Sequence, residues 1–230
     1  MLDQGLIARL DAMIAERHLL VHPFYQDWSA GRLSLETLRE YAAQYYRHVE
    51  AFPRYLSAIH SRCDDLGARQ ALLENLIEEE RGADNHPELW LRFGEGLGIA
   101  RERVLATTPA PATRDLVDTF NRLAHDAPVA AGLAALYVYE AQIPAVAATK
   151  IDGLKRYYGV TDARTLAFFT AHQEADVYHA RTGAELIERL APDAASADAV
   201  VEAADAAIAA LWAMLDGVRE GAASTAHAPA

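Results

Sequence analysis

The chain has 230 residues, 52% of them apolar and 23% charged, enough for one sizeable core and short for two ordinary domains, so one domain is expected. Its 33 acidic against 21 basic residues give a net charge of -12, which disfavours a phosphate-backbone partner, and a single cysteine, Cys63, excludes an internal disulfide. No run of about 20 uninterrupted apolar residues occurs, and the opening MLDQGLIARLDAMIAERHLL is amphipathic and carries acids, so the expectation is a soluble cytoplasmic protein with neither membrane nor nucleic acid as partner.

Alanine, leucine and glutamate are abundant, β-branched runs are short, and apolar residues recur at spacings of three and four. The chain therefore reads as all-α, with about seven helices and no internal repeat. The first helix is expected over about Asp3 to Arg17, and a short one near Pro23 to Trp28. Ser34 can cap a long helix to about Ser61, with Leu38, Tyr41, Tyr45, His48 and Phe52 on one stripe. Another runs from about Asp65 to Phe93, disturbed around Gly82 and Pro87. After Pro109 and Pro111 comes a helix from about Thr113 to His125, and Pro128 opens the one that carries Glu140. Pro144 predicts a kink or irregular turn just after Glu140. Tyr157-Tyr-Gly159 ends a segment, Thr161 or Asp162 can cap the next helix, and Pro192 closes it. An alanine-rich last helix is expected over about Ser196 to Arg219, which leaves a domain over residues 1–220 and a tail, 221–230, expected to be disordered.

Six potential metal ligands, Glu79, His86, Glu140, His172, Asp176 and His179, lie on three of these segments. At 100° per residue, His172, Asp176 and His179 fall within about 60° of one another on one helix face. Glu79 and His86 are seven apart, two helical turns, beside the core anchors Leu89 and Trp90. Glu140 is a lone acid in an apolar helix, costly unless it is paired or metal-bound; a structural salt bridge is the alternative. Three carboxylates and three imidazoles suit iron or manganese better than structural zinc, and they offset most of the charge of two divalent ions, so a dinuclear site is favoured. Asp176-x-x-His179 has the spacing of the Glu-x-x-His motif of di-iron bundles, but one such motif is a poor match to ferritin-like symmetry. Glu78 and Glu80 read as a solvated surface, His18, His22, His60 and His125 as capping or surface groups, and Cys63 as structural.

The aromatic set Tyr25, Tyr41, Tyr45, Tyr46 and Tyr139 is of a kind that usually belongs to a core with its hydroxyls hydrogen-bonded. Lys150, ten residues after Glu140 among alanines and valines, is on spacing alone as compatible with a snorkelling side chain as with a functional amine.

Over nearly its whole length the chain resembles the CADD-like proteins, named for association with death domains, within the haem-oxygenase-like di-metal oxidase superfamily. The resemblance rests on His22-Pro-Phe-Tyr25-Gln-Asp-Trp28, Asn85-His-Pro-Glu-Leu-Trp90 with the upstream Glu79, Tyr137-Val-Tyr-Glu140, Lys150-Ile-Asp-Gly-Leu154 and His172-x3-Asp-x2-His179, and it fills all six ligand positions of the family. It implies a seven-helix haem-oxygenase-like bundle, shared with TenA proteins and the cofactorless oxidase PqqC, which lack the complete ligand set. It also implies an oxidoreductase that makes p-aminobenzoate for folate synthesis by oxygen-dependent cleavage of its own tyrosine. Tyr25 matches the sacrificed tyrosine, Lys150 the lysine proposed as amino donor, and Tyr41 and Tyr139 the other pocket tyrosines, which could relay radicals.

The cofactors implied are two metal ions, Fe/Fe or Mn/Fe, with dioxygen as co-substrate and an external reductant; a homodimer is left open. Two other readings remain at this point. One is a conventional di-iron oxygenase acting on an external small molecule, and the other is a helical interaction protein that binds a death-domain-like partner.

Overall fold

Short polar side chains start several of the helices. In the computed structural model, which describes residues 5–226, the Ser34 hydroxyl accepts from the Thr37 N–H at 3.0 Å, Asp65 from Ala68 at 2.7 Å, Asn85 from Glu88 at 3.0 Å and Asp162 from Thr165 at 2.9 Å. Each satisfies a backbone donor that the first helical turn leaves free. The described residues form eleven α-helices and no strand: α1 (Leu6–Glu16), α2 (Pro23–Ser29), α3 (Leu35–Arg62), α4 (Leu66–Glu80), α5 (His86–Gly96), α6 (Arg101–Ala106), α7 (Pro111–Asp126), α8 (Val129–Glu140), α9 (Ile143–Tyr157), α10 (Ala163–Leu190) and α11 (Ala194–Ala226). A 3-10 turn, Leu19–Val21, precedes α2.

The all-α expectation is met, and the helix count is larger than seven because the punctuation cuts more deeply than the pattern suggests. The segment expected as one helix from Asp65 to Phe93 is two, since Gly82 adopts φ +79° and Pro87 sits in the first turn of α5. The irregularity expected after Glu140 is a full break between α8 and α9, with Pro144 in the first turn of α9. There the Gln142 side chain donates to Val138 O at 2.6 Å and accepts from Leu19 N at 2.7 Å, which tethers the break to the 3-10 turn. The six-residue α6 is too short to show periodicity; Arg47 holds its end by donating to the carbonyls of Leu105 and Thr107. The expected start at Asp3 lies outside the described residues. Helix α11 runs to Ala226, past the end expected near Arg219, because the alanine-rich stretch propagates a helix already nucleated. Residues 227–230 lie outside the described residues.

Helix α8 is the axis of the fold. Every residue from Ala130 to Glu140 is buried, and α7, α10 and α11 pack around it. The stretch 129–157 is apolar and long enough to be considered as a membrane span, but most of it is buried inside the protein and it is broken at Ala141 and Gln142. Helix α3 packs on α4, α5 and α7, while α10 joins α5, α8 and α9. The candidate ligands on α4, α5, α8 and α10 therefore converge from both sides of one continuous core.

Candidate metal centre and amine cage

The turn at Gly82 is what brings Glu79 to His86. With α5 redirected, His86 Nδ1 lies 2.8 Å from Glu79 Oε2, yet it lacks the geometry of a hydrogen bond. Two donors of this kind in contact with no proton shared between them suit a cation. His172, from α10, completes the group: one ligand atom each of Glu79, His86 and His172 lies within 4.8 Å of the others, and all three residues are buried. The His172 ring stands 4.2 Å from that of His86 and 4.1 Å from that of Phe168. Its Nδ1 is 2.7 Å from the Phe168 carbonyl, which can only accept; Nδ1 therefore carries the hydrogen and Nε2 is left as the ligand atom.

Glu140 and Asp176 face the same centre. Together with Glu79, His172, Tyr139 and Phe168 they line a cavity of about 10 Å³. Asn75 donates to Glu140 Oε1 at 2.7 Å, while Asp176 Oδ2 is buried without a partner. Burial pushes the Glu140 carboxyl up to about 8, with Glu79 and Glu78 adding repulsion, and burial followed by the charge of Glu140 raises Asp176 well above the usual carboxylate range. A cation placed among them would restore both to their ionised forms. His179 is buried but points differently: its Nε2 lies 2.9 Å from Oε2 of Glu78, and it borders a second pocket on the outer side of Glu140. On donor chemistry, orphaned atoms and burial, the set fits iron or manganese.

Beside these donors the tyrosines and the lysine form a second structure. Lys150 Nζ donates to the Tyr41 hydroxyl at 2.7 Å and is caged by five aromatic rings, those of Tyr25, Tyr41, Tyr45, Trp90 and Phe169, at 5.1 to 5.5 Å from their centroids. Burial lowers its pKa to about 7. Ring faces favour the ammonium form, but full desolvation with no carboxylate in hydrogen-bonding reach among the described residues outweighs them. The Tyr25 hydroxyl is 3.3 Å from that of Tyr41, and Tyr45 donates to Tyr139 at 2.9 Å. Burial raises the pKa of all four phenols, so they are neutral at physiological pH. Tyr46 stands apart, beneath the Arg47 guanidinium.

A close approach of α2 to α9 fixes the position of Tyr25. A Cβ on Gly153 would lie 2.6 Å from Trp28 Cδ1, and the Trp28 indole N–H reaches the carbonyl of Lys150 at 3.3 Å. His22 caps α2 by accepting from Phe24 N at 3.0 Å, as expected of a capping group, and it is buried.

Three buried residues near the site are absent from the candidate set that the sequence offers. Asn75 precedes Glu79 by one helical turn on α4, and that spacing is a signal that could have found it. Phe169 closes the lysine cage from another helix, and no local pattern marks it. His48 is fully buried among Tyr45, Phe52, Tyr55, Phe120 and Tyr139, with both ring nitrogens unpartnered; burial lowers its pKa to about 3 and keeps it neutral.

Comparison with known proteins places these features in context. The family described as "Iron-containing redox enzyme" matches residues 39–212. The 4-aminobenzoate synthase of Chlamydia muridarum is 48% identical over 218 residues, covering 95% of this chain and 92% of that protein. Two solved structures share the fold. A TenA homologue from Pseudomonas syringae superposes with TM-score 0.82 at 18% identity, covering 94% of this chain and 93% of its own, and a CADD-like protein from Nostoc punctiforme with TM-score 0.76 at 22% identity, covering 98% and 97%.

Proposed function

The chain belongs to the CADD-like branch of the iron-containing redox enzymes with a haem-oxygenase-like fold, and from that premise we propose that it makes p-aminobenzoate by oxygen-dependent cleavage of its own Tyr25, with Lys150 as amino donor. The observation that carries this reading is the position of Lys150. A buried amine lies 5.5 Å from the centre of the Tyr25 ring, in a cage that adjoins a cluster of carboxylates and imidazoles. A surface lysine would have no reason to be there, since burying an ammonium without a counter-ion costs several kcal/mol.

In this reading Glu79, His86, Glu140, His172, Asp176 and His179 hold two metals, Fe/Fe or Mn/Fe, with His179 exchanging Glu78 for a metal. When bound, the metals let dioxygen act as an oxidant with electrons from an external reductant. The chain supplies the remainder. Tyr25 provides the ring, and Lys150, held near neutrality, keeps a lone pair available. Tyr41 bridges the two through its hydroxyl, and the Tyr45–Tyr139 pair lies between the lysine cage and the Asp176 and Glu140 carboxylates. Water is excluded by the surrounding rings, which preserves both the neutral amine and any oxidised phenol.

A conventional oxygenase would need room for an external substrate beside the ligands. The cavity there, about 10 Å³, matches one molecule of water size, for which ~10–15 Å³ is needed, and is far below an aromatic substrate. The test uses metal-loaded protein grown with ring-labelled tyrosine, reduced and exposed to air. The expected result is ring-labelled p-aminobenzoate together with a protein changed in mass at two places, Tyr25, which loses its side chain, and Lys150, which loses its amino nitrogen. Unlabelled product would overturn the self-cleavage reading in favour of an external substrate.

A further inference from the structure

Gly183 lies in the interior of α10, where alanine would make a more stable helix. Its φ is not in the left-handed region, and a Cβ built on it meets nothing nearer than the Tyr137 ring at 3.8 Å. Neither backbone conformation nor close packing calls for glycine at this position. What a side chain would do there is fill a pocket.

That pocket lies between α3, α4, α8 and α10. Its walls are the buried Leu56, Leu72, Leu133, Leu136 and Leu186, and at its outer end stand the half-buried Thr182 and the exposed Tyr178. Its inner end is the Asn75–Glu140 pair, and the Glu140 carboxyl also borders the small cavity shared with Glu79, His172 and Asp176. Glu140, with His179 beside it, thus stands between a pocket that is leucine-walled along its middle, polar at both ends and open to the surface, and the cavity at the candidate ligands.

We propose that this pocket is the route by which dioxygen reaches the metal centre, kept open by Gly183. The chemistry of its wall selects the occupant. Polar groups stand only at its two ends, Tyr178 and Thr182 outside and Asn75, Glu140 and His179 inside; the leucines between them offer no hydrogen bond to water or to a charged reductant, whereas an apolar diatomic gains by leaving water. Size selects as well, since a volume of about 30 Å³ accommodates small gases, on the measure by which ~10–15 Å³ holds one water, and excludes an aromatic acid. The Asn75–Glu140 hydrogen bond is the last barrier, and rotation of the Glu140 carboxylate away from Asn75 would open it. The proposal rests on the oxidase reading of the centre.

Two measurements test it, xenon binding in pressurised crystals and stopped-flow oxidation of the reduced, metal-loaded protein at several dioxygen concentrations. Xenon is expected in the wild-type pocket and absent in Gly183→Leu. The bimolecular rate constant of Gly183→Leu is expected to fall by about tenfold, equivalent to about 1.4 kcal/mol of barrier, with metal content unchanged. Gly183→Ala, which adds one methyl, is expected to remain within about twofold of wild type while unfolding at a higher temperature. If Gly183→Leu does not fold, Leu133→Phe replaces it. Wild-type oxidation rates in the plugged variant, or an empty wild-type pocket under xenon, would overturn the route alone. A reduced wild-type protein inert to dioxygen would overturn the oxidase reading, and the route with it.

Discussion

Lys150 and Tyr41 share a 2.7 Å hydrogen bond in which the amine donates, and the Tyr41 hydroxyl is in turn 3.3 Å from that of Tyr25. The amine and the phenol that the proposed mechanism joins are therefore already connected through one oxygen, with no water needed between them. Because Lys150 titrates near neutrality, the connection has consequences that can be measured by pH.

The first concerns stability. An unfolded lysine binds its proton up to about pH 10.4, whereas folded Lys150 releases it at about 7. Between those values the unfolded state binds more protons, so this residue makes the protein more stable as pH rises, by about 1.4 kcal/mol per unit. Lys150→Met should accordingly be more stable than wild type at pH 7, with the gap closing toward pH 10. Denaturant titrations of the two proteins across that range provide the check, and a gap constant with pH would mean that the native amine is not neutralised by burial.

The carboxylates run in the opposite sense. In metal-free protein Asp176 holds its proton to a higher pH than the unfolded chain does, so its contribution falls as pH rises above about 4. Asp176→Asn should therefore be more stable than wild type when both are metal-free at pH 7, yet retain less iron or manganese after loading, because an amide is a poor ligand beside two other carboxylates. Elemental analysis and thermal unfolding of the same samples decide this. His172→Ala should likewise lose metal while remaining folded, and wild-type metal content in both variants would remove α10 from the site.

The positioning of Tyr25 depends on a glycine. At Gly153 a methyl would collide with Trp28, at a cost of about 1–3 kcal/mol for overpacking against about 1 kcal/mol gained in helix propensity. Gly153→Ala should lower the melting temperature modestly and reduce product far more, since the displaced α2 carries Tyr25 away from Lys150. Trimming the obstacle in Gly153→Ala/Trp28→Leu should recover little activity, because the tie from Trp28 to the Lys150 carbonyl is lost with it. Full recovery would show that the contact only fills space.

What could be read from the sequence was whatever depends on short range. The spacing of His172, Asp176 and His179 places all three on the buried face of α10, and Ser34 and Asp162 do cap helices. Glu79 and His86 were expected two turns apart on one helix, and they meet instead across the turn at Gly82, where one positive φ redirects the chain. The lysine cage was out of reach for another reason: its rings come from α2, α3, α5 and α10, so only packing assembles it. The preference of His179 for Glu78 is likewise a contact between α10 and α4 that no local rule contains.

Tyr25→Phe isolates the phenol from the ring. The substitution removes one hydroxyl whose partner is Tyr41 and leaves the packing against Phe24 and Trp28 intact, so fold and metal content should persist within about 1 kcal/mol and one loading cycle of wild type. No p-aminobenzoate should appear, because an unactivated benzene ring is much harder to oxidise than a phenol. Product at wild-type yield would show that another tyrosine supplies the ring.

Lys150→Arg and isotope labelling together test the donor, because the substitution replaces an amine that can become neutral with a group that cannot. A donor amine must become neutral to act as a nucleophile, and burial brings lysine to about 7, whereas a guanidinium stays protonated at every accessible pH. The cage reinforces the difference: rings at 5.1 to 5.5 Å surround a single nitrogen, and a planar guanidinium needs more room and leaves donors unpaired. Both Lys150→Arg and Lys150→Ala should therefore bind metals and yield no product, and because the tight cage would reject a guanidinium in a purely structural role too, it is the fate of the lysine nitrogen that separates a donor from a structural cation. The companion measurement is mass spectrometry of p-aminobenzoate from wild-type protein carrying nitrogen-15 at lysine alone. Labelled product assigns the nitrogen to Lys150 when combined with the silent variants, and unlabelled product would remove Lys150 from the mechanism.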